Sequence, residues 1–140
     1  MKILIMGLPG SGKTTLAKQL HNKLKNFIWI NADVVRTEAN DWDFSIEGRL
    51  RQVDRINKLI ENSSNENIIC DFIAPTEEIR ERFNADYIIW MDTIKEGRFE
   101  DTNELFEPPK NYNIRVLQFS DYNLNSILGQ INMTEVGISN

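Results

Sequence analysis

A glycine-rich segment near the N-terminus constrains the fold of this 140-residue chain more than any other feature. It reads Gly7-Leu8-Pro9-Gly10-Ser11-Gly12-Lys13-Thr14-Thr15 and matches the pattern G-x-x-x-x-G-K-[ST]. The apolar run Ile3–Met6 precedes it, and apolar residues at helical spacing follow it. A strand, a glycine loop and a helix in that order are the context in which the backbone N–H groups of such a loop surround the phosphates of a nucleotide. We therefore predict a phosphate-binding loop, called the phosphate loop below, at residues 7–15.

The pattern gives each part of the phosphate loop an expected role. The glycines allow backbone conformations that direct N–H groups at phosphate oxygens, so all nine residues are candidates for nucleotide binding. Lys13 is expected to reach the β- and γ-phosphates of ATP, and the Thr14 hydroxyl is expected to bind Mg²⁺. The pattern does not decide between a kinase, a nucleotide hydrolase and a nucleotide-dependent switch.

Short apolar runs alternate with helical patterns along the chain. The runs are Ile3–Met6, Phe27–Ile30, Ile68–Phe72, Tyr87–Met91 and Ile114–Phe119. Helical patterns follow the phosphate loop, continue from an N-cap at Ser45 to Ile60, begin again near Pro75, and extend from Asn123 to Ile131. This order predicts an α/β fold, a three-layer α/β/α sandwich around a five-stranded parallel sheet.

One long stretch, Thr93–Tyr112, shows no apolar period and contains two prolines. We predict a lid-like loop there, because long loops in compact domains are often functional. The sequence contains no internal repeat, linker or low-complexity tract, so we expect residues 1–140 to form one domain.

Charge and composition exclude several classes of function. Sixteen basic and 21 acidic residues give a net charge of −5, which argues against non-specific binding of nucleic acid. With one cysteine, Cys70, and one histidine, His21, the chain has neither an internal disulfide nor a zinc site built on these residues. No apolar run approaches the roughly 20 residues that span a bilayer. We expect a cytoplasmic protein that acts on a small-molecule nucleotide, away from nucleic acid and membranes, with a homodimer left open.

Polar residues that follow the second and third apolar runs are candidates for catalysis. In open parallel sheets, ligands bind beyond the carboxyl ends of the strands, so Asp33 and Arg36 are expected to face the γ-phosphate. The Asp33 carboxylate can accept a proton from an acceptor hydroxyl, and Arg36 can bind anionic groups. Asp71 lies where Walker B acids hold Mg²⁺, although a capping role at a strand end is an equal alternative. Lys13, Asp33 and Asp71 are thus the candidate catalytic residues.

Together these segments resemble the adenylylsulfate kinases, which phosphorylate the 3′-hydroxyl of adenosine 5′-phosphosulfate. Residues 31–36, Asn-Ala-Asp-Val-Val-Arg, resemble the family's D-G-D-N-[VI]-R, and residues 44–52 resemble its G-F-S-x-x-D-R-x-x-N. Phe72-Ile73-Ala74-Pro75 resembles F-I-S-P, and Phe99 with Phe106-Glu107-Pro108-Pro109 resembles F-T-G-x-x-x-P-Y-E-x-P. The resemblance runs in order from Met1 to about Ile131.

The resemblance implies an acceptor site as well as a kinase activity that uses ATP and Mg²⁺. Phe44 and Phe99 would sandwich the adenine of the acceptor, Arg36 and Arg49 would bind its phosphosulfate, and Asp33 would lie by the 3′-hydroxyl. The implied substrate-binding residues are Asp33, Arg36, Phe44, Arg49, Gln52, Ile73 and Phe99.

The chain departs from the family pattern at several positions. Asn31, Gln52 and Ala74 replace an acid, an asparagine and a serine, and the family's lid segment R-D-x-K-G-L-Y is missing before Phe99. Lys95 and Arg98 are the cations that remain in this stretch. They could serve as the positive charges of a lid, but we favour the interpretation that they are solvated loop residues. Asp71 also resembles an acid of polynucleotide-kinase-like and zeta-toxin-like P-loop kinases. Another nucleotide or polynucleotide hydroxyl kinase, and a nucleotide-binding module without transfer activity, therefore stay open as alternatives.

Overall fold

Strands and helices alternate in the computed structural model, which describes residues 1–119 and 122–135. The elements are β1 (Lys2–Met6), α1 (Lys13–Lys23), β2 (Ile28–Asn31), α2 (Ala32–Ala39), α3 (Ile46–Asn62), β3 (Ile68–Asp71), α4 (Glu77–Phe83), β4 (Tyr87–Met91), α5 (Glu100–Leu105), β5 (Ile114–Val116) and α6 (Leu124–Glu135). Within these ranges, no helix is both long enough and apolar enough to cross a membrane.

The five strands form one parallel sheet in the order β2-β3-β1-β4-β5, which confirms the predicted fold class. Asp71 at the end of β3 is in register with Ile5 of β1 and with Asn31 of β2. The loop after β1 therefore begins beside the ends of β2 and β3. Because parallel strands end at a common edge, residues from three distant parts of the chain meet there.

Side chains of the central strand β1 alternate between the two faces of the sheet. Ile3 and Ile5 pack against α1 and α6, whereas Leu4 and Met6 pack against α2, α3 and α4. All four side chains are completely buried, and each such burial stabilises the fold by roughly 1.5–3 kcal/mol. Because successive side chains of β1 point to opposite faces, the strand packs against helices on both faces of the sheet.

Helix α3 begins where the sequence predicts. The Ser45 side chain accepts a hydrogen bond of 3.1 Å from the backbone N–H of Gly48, which is the capping interaction expected of a serine before a helix. The helix buries Val53 and Ile56 in the core, and it also buries the polar side chains of Arg49 and Gln52. Its first two turns therefore carry side chains to the edge of the sheet where the phosphate loop lies.

Two helices were not predicted from the sequence. The eight-residue α2 follows β2 directly and is capped by the side chain of Asn31, which accepts from the N–H of Val34 at 3.1 Å. The six-residue α5 lies within the predicted lid-like loop. Both helices are too short to show a clear apolar period in the sequence. Helices of this length are not stable alone, so both depend on contacts with other elements.

We expect Ser45→Ala to lower the free energy of unfolding by about 1 kcal/mol, because the Gly48 N–H then has no side-chain acceptor. Ser45→Thr keeps the hydroxyl and serves as the matched control. The measurement is urea unfolding followed by circular dichroism. Equal stabilities of Ser45→Ala and the unmodified protein would show that the cap does not stabilise α3.

Candidate active site

A cavity of about 540 Å³ lies at the carboxyl edge of the sheet. Its walls come from the phosphate loop, from α2 and α3, from the turn after β3 and from residues of the lid-like segment 93–112, called the lid segment below. The candidate residues that line it, besides those of the phosphate loop, are Asp33, Arg36, Phe44, Arg49, Gln52, Asp71, Ile73 and Phe99. The structure therefore brings together all the candidate catalytic and substrate-binding residues.

The phosphate loop presents only part of its nine residues to the cavity. Those that line it are Pro9, Gly10, Gly12, Lys13, Thr14 and Thr15. The side chains of Leu8 and Ser11 are buried. At Gly7, a Cβ atom would lie 2.5 Å from the Met91 carbonyl oxygen, so the close approach of β4 requires glycine there. Leu8 and Ser11 can thus face a phosphate only through their backbone.

Lys13 is the first residue of α1, and its side chain folds back over the phosphate loop. Its ammonium group donates to the Leu8 carbonyl oxygen at 3.0 Å. Burial lowers the pKa of Lys13 from 10.5 to about 8, although the carboxylates of Asp71 and Asp33 act in the opposite direction. The half-buried charge of Lys13 and the N-terminal end of α1 both favour an anion at this point of the cavity.

The Asp71 carboxylate is 2% exposed and accepts hydrogen bonds from three side chains. Its Oδ2 accepts from the Thr14 hydroxyl and from the Asn31 amide, each at 2.9 Å, and its Oδ1 accepts from the Trp29 indole N–H at 2.7 Å. Burial raises the pKa of Asp71, whereas these bonds and the Lys13 charge lower it. Asp71 thus connects the ends of β2 and β3 to the first turn of α1.

Arg36 and Arg49 form a buried pair of cations, and each is 5% exposed. The guanidinium carbon of Arg36 lies 4.3 Å from the ring centroid of Phe44, and that of Arg49 lies 5.3 Å from it. Burial and, next, the charge of Arg49 lower the pKa of Arg36. Burial also lowers the pKa of Arg49, and the charge of Asp101 opposes this. Two positive charges held this close repel each other, so this part of the cavity favours the binding of an anion.

Gln52 supports the cavity wall. Its Nε2 donates to the Ala32 carbonyl oxygen at 3.0 Å, and its Oε1 accepts from Arg55 at 2.6 Å. The amide therefore holds the first turn of α2 against α3. This contact fixes the position of Asp33, which is the next residue along α2.

The lid segment is attached at its beginning and at α5. The Thr93 hydroxyl donates to the Ser11 carbonyl oxygen at 2.7 Å, and Gly97 lies against Pro9. The buried Thr102 hydroxyl accepts from Arg49 Nη2 at 2.9 Å. These contacts hold the segment over the phosphate loop and α3. Arg98 lines the cavity, whereas Lys95 is exposed outside its lining.

Some residues of the site were missed by the sequence analysis. Trp29 belongs to the apolar run Phe27–Ile30, which by itself indicates only a strand, but its half-buried side chain packs against the core and its indole N–H reaches Asp71. Asp101, Thr102 and Phe119 line the cavity and had no assigned role. No local pattern marks these residues, because each reaches the site through a contact with a distant part of the chain.

The N-terminal two thirds of the chain match the model of a known protein family. The family model for adenylylsulphate kinase matches residues 1–92. This chain belongs to the adenylylsulfate kinase family. It therefore has the fold and phosphate loop of a P-loop small-molecule kinase. The lid segment lies beyond the matched residues, so the resemblance drawn at Phe99 and at residues 106–109 stays a prediction.

Solved structures show the same fold at low sequence identity. The adenylylsulfate kinase CysC of Mycobacterium tuberculosis, in complex with AMPPNP and APS, is 18% identical over 96% of each chain, with a TM-score of 0.68. The hexameric APS kinase of Thiobacillus denitrificans is 22% identical over 97% of this chain and 29% of that chain, with a TM-score of 0.68. The shikimate kinase of Aquifex aeolicus is 16% identical over 98% of this chain and 99% of that chain, with a TM-score of 0.65.

We expect Thr102→Val to destabilise the protein by about 1–3 kcal/mol, because the buried guanidinium of Arg49 loses an acceptor that the nearly isosteric valine cannot replace. Urea unfolding measures the change. Thr102→Ser, which retains the hydroxyl, should behave like the unmodified protein. If Thr102→Val were equally stable, the bond between α5 and α3 would contribute nothing to the attachment of the lid segment.

Proposed function

We propose that this protein transfers the γ-phosphoryl group of ATP to the 3′-hydroxyl of adenosine 5′-phosphosulfate. The observation that carries the proposal is a single cavity that joins the phosphate loop to the buried cations Arg36 and Arg49. The phosphates of a donor and a second anionic substrate can therefore meet in one cavity. Membership of the adenylylsulfate kinase family supports this acceptor.

The donor half of the site consists of the phosphate loop with Lys13 and Thr14. The backbone of the loop and the Lys13 ammonium group would bind the phosphates of ATP. The Thr14 hydroxyl donates a hydrogen bond to Asp71, and its oxygen accepts a long one, at 3.4 Å, from the Asn31 amide, which leaves one lone pair for a cation. Thr14 and Asp71 therefore suit Mg²⁺, which would neutralise charge on the transferring phosphoryl group.

The acceptor half is built around Asp33 in the first turn of α2. Its side chain is exposed to the cavity, and the positive end of the helix stabilises its carboxylate. Asp33 would accept the proton of the 3′-hydroxyl as the oxygen attacks the γ-phosphorus. Because Gln52 and Asn31 both hold the start of α2, the carboxylate is already oriented before the substrate binds.

The remaining acceptor groups are two cations and two rings. Arg36 and Arg49 would bind the phosphosulfate, which would relieve the repulsion between their charges. Phe44 is 41% exposed and Phe99 is 49% exposed, and both line the cavity. Exposed rings of this kind can hold an adenine between them.

Asp101 favours a second candidate, in which a less anionic alcohol is the acceptor. This residue lines the cavity, and its charge acts on Arg49. A carboxylate there reduces the net positive charge that a phosphosulfate would meet. Another hydroxyl-bearing nucleotide is therefore the alternative acceptor, and the assay below distinguishes the two.

Release of ADP in the presence and absence of adenosine 5′-phosphosulfate tests the proposal. We expect release with Mg²⁺ and ATP to depend on this acceptor, and Lys13→Ala to abolish it. Release that needs no acceptor would indicate a nucleotide hydrolase. Release that needs a different alcohol would support the second candidate, and no release with any acceptor would indicate a binding module.

We expect Asp33→Asn to lower phosphoryl transfer by about 10²–10⁴-fold, which is the usual contribution of a positioned acid–base group. Binding of ATP should change little, because Asp33 lies on the acceptor side. Asp71→Asn is the comparison variant, and it should instead raise the Mg²⁺ concentration required for activity. Full activity of Asp33→Asn together with an inactive Asp71→Asn would reverse the two roles.

Phe44→Ala and Phe99→Ala should each weaken binding of adenosine 5′-phosphosulfate by roughly 5- to 150-fold, because stacking on one face of the adenine is lost. Binding of ATP should be unaffected. Calorimetric titration of the acceptor in the presence of ADP and Mg²⁺ measures both variants. Acceptor affinity equal to that of the unmodified protein in both would rule out the adenine clamp.

A further inference from the structure

The loop between α2 and α3, residues 40–45, is called the α2–α3 loop below, and its backbone holds one of the two buried cations. Arg36 Nη1 donates to the carbonyl oxygen of Asp41 at 3.0 Å and to that of Asp43 at 3.3 Å. A buried guanidinium group needs partners for its N–H groups, so these carbonyl oxygens determine where Arg36 lies in the cavity.

Phe44 connects the same loop to the second cation. Its carbonyl oxygen accepts from Arg49 Nε at 2.8 Å. Its ring lies against the guanidinium groups of both Arg36 and Arg49. A shift of the α2–α3 loop would therefore move an aromatic ring and both cations of the acceptor half.

The side chain of Asp41 attaches the α2–α3 loop to helix α3. Its carboxylate is 15% exposed and accepts from Arg51 Nε at 2.9 Å and Nη2 at 3.2 Å, and from Arg55 Nη2 at 2.7 Å. Arg55 Nη1 also donates to Gln52, which in turn holds the first turn of α2. An isolated ion pair at a surface contributes little, but a two-pronged pair within a network of this kind holds its partners in a fixed geometry.

The α2–α3 loop also lies unusually close to the backbone of α3. A Cβ atom at Gly48 would lie 2.2 Å from the Asp43 carbonyl oxygen, so this approach requires glycine. The Asp43 carboxylate accepts from Arg51 Nη2 at 3.0 Å and from the Ser45 N–H at 2.9 Å. Because there is no space between the loop and the helix, a change in the ion pairs should shift the carbonyl groups that hold Arg36.

We propose that Asp41 is a positioning residue that orients Arg36 for the anionic group of the acceptor, although Asp41 itself lies outside the lining of the cavity. This inference rests on the proposed function, because it requires Arg36 to bind the acceptor. A cation that is held in place before binding loses less freedom when the anion arrives, so its orientation increases affinity. The phosphates of the donor are bound by the phosphate loop and do not depend on the α2–α3 loop.

Calorimetric titration with adenosine 5′-phosphosulfate, in the presence of ADP and Mg²⁺, tests the proposal. Asp41→Asn should weaken acceptor binding by roughly 10- to 100-fold, because a displacement of about 1 Å is enough for such a loss. Affinity for ADP should be unchanged. Asp41→Glu keeps the carboxylate and should recover most of the acceptor affinity. Asp54→Asn is the matched control, since Asp54 also lies on the outer side of the cavity wall and pairs with an arginine, Arg82, at 3.1 Å.

A double-mutant cycle with Arg36→Met shows whether Asp41 acts through Arg36. Once Arg36 has been replaced, Asp41→Asn should have little further effect on acceptor affinity. Arg55→Gln removes a partner of Asp41 and should reproduce the selective loss, so the test does not depend on a single variant. Thermal unfolding shows which variants are folded.

Three results would overturn the proposal. They are unchanged acceptor affinity in Asp41→Asn and Arg55→Gln, equal losses for ADP and the acceptor, and additive losses in the cycle with Arg36→Met. The first would show that the ion pairs do not orient Arg36, the second that they only stabilise the fold, and the third that Asp41 acts independently of Arg36.

Titration with AMP separates failure of the proposal from failure of the proposed acceptor, because AMP carries the 5′-phosphate of any nucleotide acceptor. Binding of AMP that depends on Asp41, without binding of adenosine 5′-phosphosulfate, would retain the role of Asp41 and reject the proposed acceptor. Binding of neither ligand by the unmodified protein would overturn both.

Discussion

The hydrogen bonds to the buried carboxylate of Asp71 connect the three segments on which the site depends. An unpaired carboxylate in such a place costs several kcal/mol, so the fold requires its donors to be present together. Thr14 comes from α1, Trp29 and Asn31 come from β2, and Asp71 ends β3. Satisfying this one group therefore fixes the phosphate loop relative to the neighbouring strands. In the proposed reaction the oxygen of Thr14, which these bonds orient, would also bind the cation.

Asn31 extends this connection to the acceptor side. Its amide donates to Asp71, while its carbonyl oxygen caps α2 by accepting from Val34. The orientation of α2, and with it the position of Asp33 and Arg36, thus depends on the same carboxylate that orients the phosphate loop. In the proposed reaction, such a rigid link between the donor and acceptor halves would reduce the reorganisation needed for in-line transfer.

The lid segment covers part of the cavity, although it is short. Hydrogen bonds to Ser11 and to Arg49 hold it at two points. Phe99, which directly precedes α5, and Thr102 within α5 have different environments. Thr102 is buried and binds Arg49, whereas Phe99 remains half-exposed in the cavity. The lid segment therefore partly covers the proposed acceptor half, and the ring of Phe99 remains accessible to a ligand.

The sequence by itself determined the parts of this protein that local patterns encode. The phosphate loop depends on glycines and a lysine at fixed spacing, the strands on continuous apolar runs, and the start of α3 on the capping hydroxyl of Ser45. The tertiary structure decided what depends on contacts between distant residues. Helix α2 needs Asn31, which is held by an acid 40 residues away, and Trp29 acquires its role only through Asp71. The ring of Phe119 meets Gly12 across the sheet edge. Periodicity and spacing describe neighbours along the chain, whereas these contacts arise only once parallel strands bring their ends together.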